Sequence, residues 1–142
     1  MEFELDGKVA LVTGSSRGIG RAIAETLHSE GCKVAINGRS GDALADVAKT
    51  LSGSIIAQGD VSIPQEAQRI VREVKAAFSR IDFLVCNVGS GGSVPPGQES
   101  YDEWQRVFAV NLWSATNMVE AASGTLAETQ GSIVCISSIC GN

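Results

Sequence analysis

The chain has 142 residues, 44% hydrophobic and 19% charged, with 16 glycines and 3 prolines, which is the composition of one folded globular domain and excludes disorder, a collagen repeat or a disulfide scaffold. Its net charge of −5, with 11 Lys and Arg spread along the chain, argues against nucleic acid as a partner. No apolar run approaches the roughly 18 residues that span a bilayer, and the acidic start lacks a signal-peptide pattern, so no membrane association and a cytoplasmic location are expected.

The first apolar run, residues 8–13, is continuous rather than alternating, as in a strand buried on both faces. Directly after it come Thr13, Gly14, Ser15, Ser16, Arg17, Gly18, Ile19 and Gly20, and then helix formers from Arg21. A strand, a glycine turn and a helix start in this order make an anion site, because main-chain N–H groups and the helix dipole converge there. On this reading Gly14 permits the turn, Gly18 lets the backbone approach a diphosphate, and Gly20 lets the helix pack on the strand.

A second run, 33–37, ends at Gly38, Arg39 and Ser40, and Leu44, Val47, Ala48 and Leu51 follow at helical spacing. The third run, 54–58, leads to Asp60 and Val61. Ser62 is the expected N-cap of a third helix, with Pro64 in its first turn and Ala67, Ile70, Val71, Val74 and Phe78 along its apolar face. The fourth run, 82–87, ends at Asn87, and Val88 leads to a glycine- and proline-rich stretch at 89–99 that begins with Gly89. That stretch reads either as a wall of a ligand site or as a mobile surface connection.

A fourth helix is expected at 101–123, with a wide apolar stripe of Trp104, Phe108, Leu112, Ala115 and Val119 beside Val107, Val110 and Met118. Such a stripe fits a subunit interface or a face covered by further polypeptide. The fifth run, 132–137, ends at Ser137, with Ser138 next to it. Cys32, Cys86, Cys135 and Cys140 form no CxxC pair and read as buried reduced thiols. With His28 as the single histidine, neither a metal site nor a Ser-His-Asp hydrolase is expected. Strand alternating with helix gives the fold class: α/β, a doubly wound parallel sheet of five strands in one domain.

Thr13-Gly14-x-x-x-Gly18-x-Gly20, Asp60-Val61, Cys86-Asn87-Val88-Gly89, Asn111, and Ser137-Ser138 with Gly141 stand in the order and about the spacing of the short-chain dehydrogenase/reductase family, which the chain resembles throughout. Cys86 and Val88 depart from the family's NNAG-like segment. The resemblance implies a Rossmann-like NAD(P)-binding domain over 1–142, incomplete at its carboxyl end. It also implies that Asp60 binds adenine, Val61 lines its pocket, and Asn87 and Gly89 border a ribose. Taken alone, Asp60 also reads as a turn residue and Ser138 as a strand-end cap. By the resemblance, Ser138 holds the substrate oxygen and Asn111 holds a proton-relay water.

NADP(H) is the favoured cofactor and NAD(H) the alternative. Gly38 stands where an NAD-binding carboxylate would be, and Arg39, with Arg17, offers a guanidinium to a 2′-phosphate. The family's Tyr-x-x-x-Lys pair is not in these residues: the single tyrosine, Tyr101, has Gln105 four positions on. The expected function is hydride transfer between nicotinamide and a small carbonyl or alcohol substrate by the parent protein, with this fragment inactive. A non-catalytic dinucleotide-binding module and a different enzyme on the same scaffold are the alternatives. A homo-oligomer, or association with a missing carboxyl-terminal segment, is expected.

Overall fold

The computed structural model describes residues 3–138. The apolar runs form β1 (Val9–Val12), β2 (Lys33–Ile36), β3 (Ile55–Ile56), β4 (Phe83–Cys86) and β5 (Ser132–Cys135). They pair in parallel in the order β3-β2-β1-β4-β5. The third strand is shorter than its apolar run, with only two ladder residues beside β2.

Alternation along the central strands divides the core in two. Val9, Leu11, Ala35, Leu84 and Cys86 face α3 (Pro64–Phe78) and α5 (Ser114–Thr129), which bring Ala67, Ile70, Val71, Val74, Met118, Ala122 and Leu126. Ala10, Val12, Val34, Ile36 and Val85 face α1 (Gly18–Ser29) and α2 (Gly41–Ala48), which bring Ala24, Leu44 and Val47. Apolar side chains on both faces explain why the strand runs are continuous in the sequence. The strand order reverses between β1 and β4, and in sheets of this kind the crevice beyond the carboxyl ends at that point is the ligand position.

Three expectations about helices change. The N-cap of α3 is Ile63, without a side-chain cap; the Ser62 hydroxyl instead donates to Asp60 Oδ1 at 2.6 Å. The fourth helix runs on to Thr129 as α4 (Tyr101–Phe108), a π-helical turn (Ala109–Trp113) and α5. The wider turn inserts a residue and shifts the helical phase. The predicted stripe is thereby split: Trp104, Phe108 and Leu112 are exposed, Ala115 and Val119 pack partly against the core, and Met118 is fully buried.

Ser79 caps α3 in the left-handed region at φ +67°, where glycine is favoured. Ser79→Gly is expected to raise stability by about 0.5–1 kcal/mol, read as a higher urea midpoint. The edge strand β5 leaves Ile133, Val134 and Ile136 each at least 40% exposed. Expressed alone, the chain is therefore expected to self-associate, seen as a concentration-dependent mass in light scattering.

Candidate dinucleotide site

The turn from β1 to α1 is built by glycine geometry. Gly14 and Gly18 stand at φ +61° and +57°, a region that side chains with a Cβ rarely adopt. Above Gly18 there is open space, with nothing within 4 Å of where a Cβ would lie. Gly20 is confined instead: its Cβ would run into the Gly14 carbonyl oxygen and Asn87 Nδ2. It thus packs against the turn and the end of β4, more than against the strand predicted from its spacing. Arg17 is the N-cap of α1 and contributes no side-chain cap. The first N–H groups of the helix therefore keep their capacity for an anionic ligand.

Ser15 is a correction. It is fully buried, its hydroxyl donates to the Val12 carbonyl at 2.8 Å, and its N–H donates to the Asn37 carbonyl at 2.8 Å. Its polar groups are engaged inside the fold, and it anchors the turn rather than facing the cleft. Thr13 is likewise buried: its hydroxyl donates to the Val85 carbonyl at 3.3 Å and accepts from the Asn87 N–H at 3.0 Å. Asn87 Nδ2 then donates to the Gly14 carbonyl at 3.1 Å. These bonds tie the ends of β1 and β4 together around the turn.

Over these strand ends opens a cleft of about 450 Å³, lined by Ser16, Arg17, Gly18 and Ile19 on one side and by Asp60, Val61, Asn87, Val88 and Gly89 on the other. Arg39 and Gly38 form its end beside β2. The cleft thus gathers residues separated by more than seventy positions in the chain. Val61 is buried, whereas Ile19 is 65% exposed at the mouth. Asp60 both lines the cleft and makes a turn, since its Oδ1 also accepts the Ser62 N–H at 2.9 Å.

Sequence reasoning missed Asn37. It is buried at the end of β2, where Nδ2 donates to the Ala57 carbonyl at 2.8 Å and to the Gly59 carbonyl at 3.3 Å, and Oδ1 accepts the Gly14 N–H at 3.4 Å. The available signal was an amide side chain closing an otherwise apolar run. Asn37→Leu is expected to cost about 1–3 kcal/mol, because the carbonyls of the β3 end lose a buried donor. Chemical denaturation measures it, and a loss below a few tenths would remove Asn37 from this role.

Arg106 was also missed. It lines the cleft, forms a two-point ion pair with Glu103, and donates to the Gly92 carbonyl at 2.8 Å. Asn111 lies in the π-helical turn. Its Oδ1 accepts the Ser90 N–H at 2.8 Å, and its Nδ2 donates to the carbonyls of Ser90 at 3.1 Å and Val107 at 3.0 Å. The irregular stretch after β4 is therefore fastened to α4 and the π turn at two points. Of that stretch, Gly89 and Ser90 form cleft wall. Ser138 follows β5 and is exposed, while Cys140 and Gly141 lie outside the described residues.

The family described as short chain dehydrogenase matches residues 8–142. The chain belongs to that family. An uncharacterised oxidoreductase of Methylorubrum extorquens is 39% identical over 141 residues, spanning 96% of this chain and 56% of the relative. The crystal structure of L-sorbose reductase from Gluconobacter frateurii, complexed with NADPH and L-sorbose, superposes with a TM-score of 0.92 at 30% identity, over 99% of this chain and 56% of that one. A Burkholderia phymatum short-chain dehydrogenase/reductase in complex with NAD gives 0.92 at 31% identity, over 98% and 52%. The chain thus spans little more than half the length of these relatives. Its sheet and flanking helices are those of the family's Rossmann-like α/β fold, and the two solved neighbours hold NADPH and NAD respectively. Among the described residues, no helix is long and apolar enough to cross a membrane.

Proposed function

We propose that the chain is the dinucleotide-binding portion of an NADP(H)-dependent oxidoreductase that moves hydride between nicotinamide and a carbonyl or alcohol carbon. The observation that carries this reading is the glycine cradle: two positive-φ glycines, open space over Gly18, and a helix N-terminus without a side-chain cap facing the cleft. A diphosphate fits that donor set. Gly14, Ser16, Gly18 and Ile19 would hold it, Asp60 and Val61 the adenine, and Asn87, Val88 and Gly89 the neighbouring ribose. When bound, the nicotinamide supplies the hydride.

The chain's own residues then bind and orient. Ser138 donates a hydrogen bond to the substrate oxygen. Asn111 is a positioning residue, since its amide holds Ser90 and with it the start of the stretch that walls the cleft. The cysteines Cys32, Cys86 and Cys135 carry free thiols, which suits the proposed cytoplasmic location. The exposed aromatic face of Trp104 and Phe108, whose ring centroids lie 6.1 Å apart, is proposed as a self-association surface.

Preference for NADP(H) rests on Gly38, Arg39 and Arg17. Both arginines line the cleft with exposed side chains, and no carboxylate stands at position 38 to repel a 2′-phosphate. Titration by nucleotide fluorescence is expected to give NADPH at least tenfold tighter binding than NADH, about 1.4 kcal/mol. The double change Gly38→Asp with Arg39→Ala is expected to reverse the order. Equal affinities in the unaltered chain would remove the NADP assignment, and binding of neither nucleotide would remove the reading itself.

A further inference from the structure

Cys86 and Cys135 close β4 and β5, and the parallel register sets them directly opposite each other. Register partners point to the same face of a sheet, across a strand spacing of about 4.8 Å, which falls inside the roughly 4.4–6.8 Å of Cα separation that a two-sulfur bridge spans. Both side chains line a groove of about 500 Å³ on the α5 side of the sheet, with Val88, Asn111, Ala115 and Val119. Access to the two differs: Cys86 is buried and Cys135 is exposed. Burial first, and then the adjacent Cys135 sulfur, push the Cys86 thiol up to about 12. Cys86 is thus a protonated thiol hydrogen-bonded to its neighbour, and a poor target for a reagent that reacts with one thiolate.

We propose that Cys86 and Cys135 form a dithiol site for a trivalent organoarsenical, a ligand that joins two thiols at once. In the condensation two arsenic–sulfur bonds form and the arsenic–oxygen bond breaks. The two thiol protons leave with that oxygen as water, and arsenic stays trivalent throughout. Exposed Cys135 makes the first bond. Closure onto Cys86 is then intramolecular, so its high effective concentration offsets the low thiolate fraction. Cys32 cannot join this pair. It is buried in the opposite core layer, where its thiol contacts the Leu5 carbonyl at 3.6 Å. A bridged arsenical occupies the groove beside Asn111 and Ser137, and its capture does not depend on the oxidoreductase reading.

The test is titration of the chain with phenylarsine oxide, without nucleotide, followed by intact-mass and peptide analysis. One phenylarsenic group per chain is expected, linking the peptides that contain Cys86 and Cys135, resistant to a monothiol and released by a dithiol. Cys86→Ser and Cys135→Ser are each expected to weaken capture at least tenfold, while Cys32→Ser and Cys140→Ser leave it unchanged. The linked peptides in the unaltered chain decide the matter should a variant fold poorly. An adduct removed by a monothiol, or one that persists in Cys86→Ser and links Cys135 to Cys140, overturns the proposal. Neither result bears on dinucleotide binding, which is measured separately.

Discussion

Gly20→Ala is expected to weaken NADPH binding by about tenfold to a hundredfold and to lower stability by about 1–3 kcal/mol, the range for forcing a methyl into a packed site. The new methyl would meet the Gly14 carbonyl oxygen and the Asn87 amide. Backbone cannot rotate away as a flexible side chain can. Either α1 lifts from the turn, or the 3.1 Å bond from Asn87 Nδ2 to Gly14 is broken. Both outcomes open the cradle between β1 and β4.

Gly18→Ala provides the internal contrast. Its Cβ meets no atom, and the cost to folding is that of a left-handed alanine, roughly 1–2 kcal/mol. Its methyl, however, projects into the space assigned to the diphosphate, so affinity is expected to fall further than the change in stability explains. Urea unfolding alongside nucleotide titration separates the two. The packing account of Gly20 fails if Gly20→Ala unfolds at the same urea concentration as the unaltered chain. Loss of stability without loss of affinity in Gly18→Ala would place the diphosphate elsewhere.

The second large effect lies at the opposite end of the sheet. Asp82 is buried just before β4, where one carboxylate oxygen accepts the Val9 N–H at 2.9 Å and the Arg80 Nε–H at 2.8 Å. Lys8 Nζ lies 4.0 Å from the other oxygen. Asp82→Ala leaves the Val9 donor without its acceptor, for an expected loss of about 1–3 kcal/mol. The ion pairs add less, because the Arg80 and Lys8 side chains are 44% and 42% exposed. Asp82→Asn retains an acceptor for Val9 and is expected to recover most of the loss.

The same carboxylate sets an acid limb. Burial alone would raise the Asp82 carboxyl, but hydrogen bonds from Arg80 and Val9, with the charges of Arg80 and Lys8, outweigh it and hold it below the usual carboxylate range. A depressed folded value means that ionised Asp82 stabilises the fold at pH above the unfolded value near 4, and that this contribution is lost as pH falls through the folded value. Urea midpoints measured from pH 5 to pH 2 are expected to fall more steeply in the unaltered chain than in Asp82→Asn. Parallel curves would show that Asp82 does not titrate in this window. Asp46 is also held low by Lys49 at an exposed position where salt screens it, and Glu103 is held low by Arg106, whose own side chain is half-exposed. Repeating the series at high salt isolates the buried group.

Much of the fold was legible because its determinants are local in sequence. A strand covered on both faces reads as an unbroken apolar run. The β1–α1 turn reads as glycines at positions where φ must be positive or a Cβ has no room. The position of α3 was readable from its apolar spacing, although Ser62 looked like the cap and Ile63 is. Ser62 had a competing partner, Asp60, two residues away, and a hydroxyl donating to a carboxylate outcompetes one accepting from helix N–H groups. The inward turn of Ser15 was hidden for a related reason, since its partner Asn37 lies 22 residues on.

From the order of its residues alone, the chain determined its layer pattern, its parallel strands and the turn that can cradle an anion, because each depends on periodicity or on the conformational freedom of single residues. Only the tertiary structure decided which groups share a site. Asn37 joins the turn because β2 lies beside β1, Arg106 reaches the cleft from α4, far along the chain from the β1–α1 turn, and Cys86 meets Cys135 because β5 pairs with β4 in that register. These contacts join residues far apart in the chain, and chain closure and side-chain packing fix them only when the whole sheet has assembled.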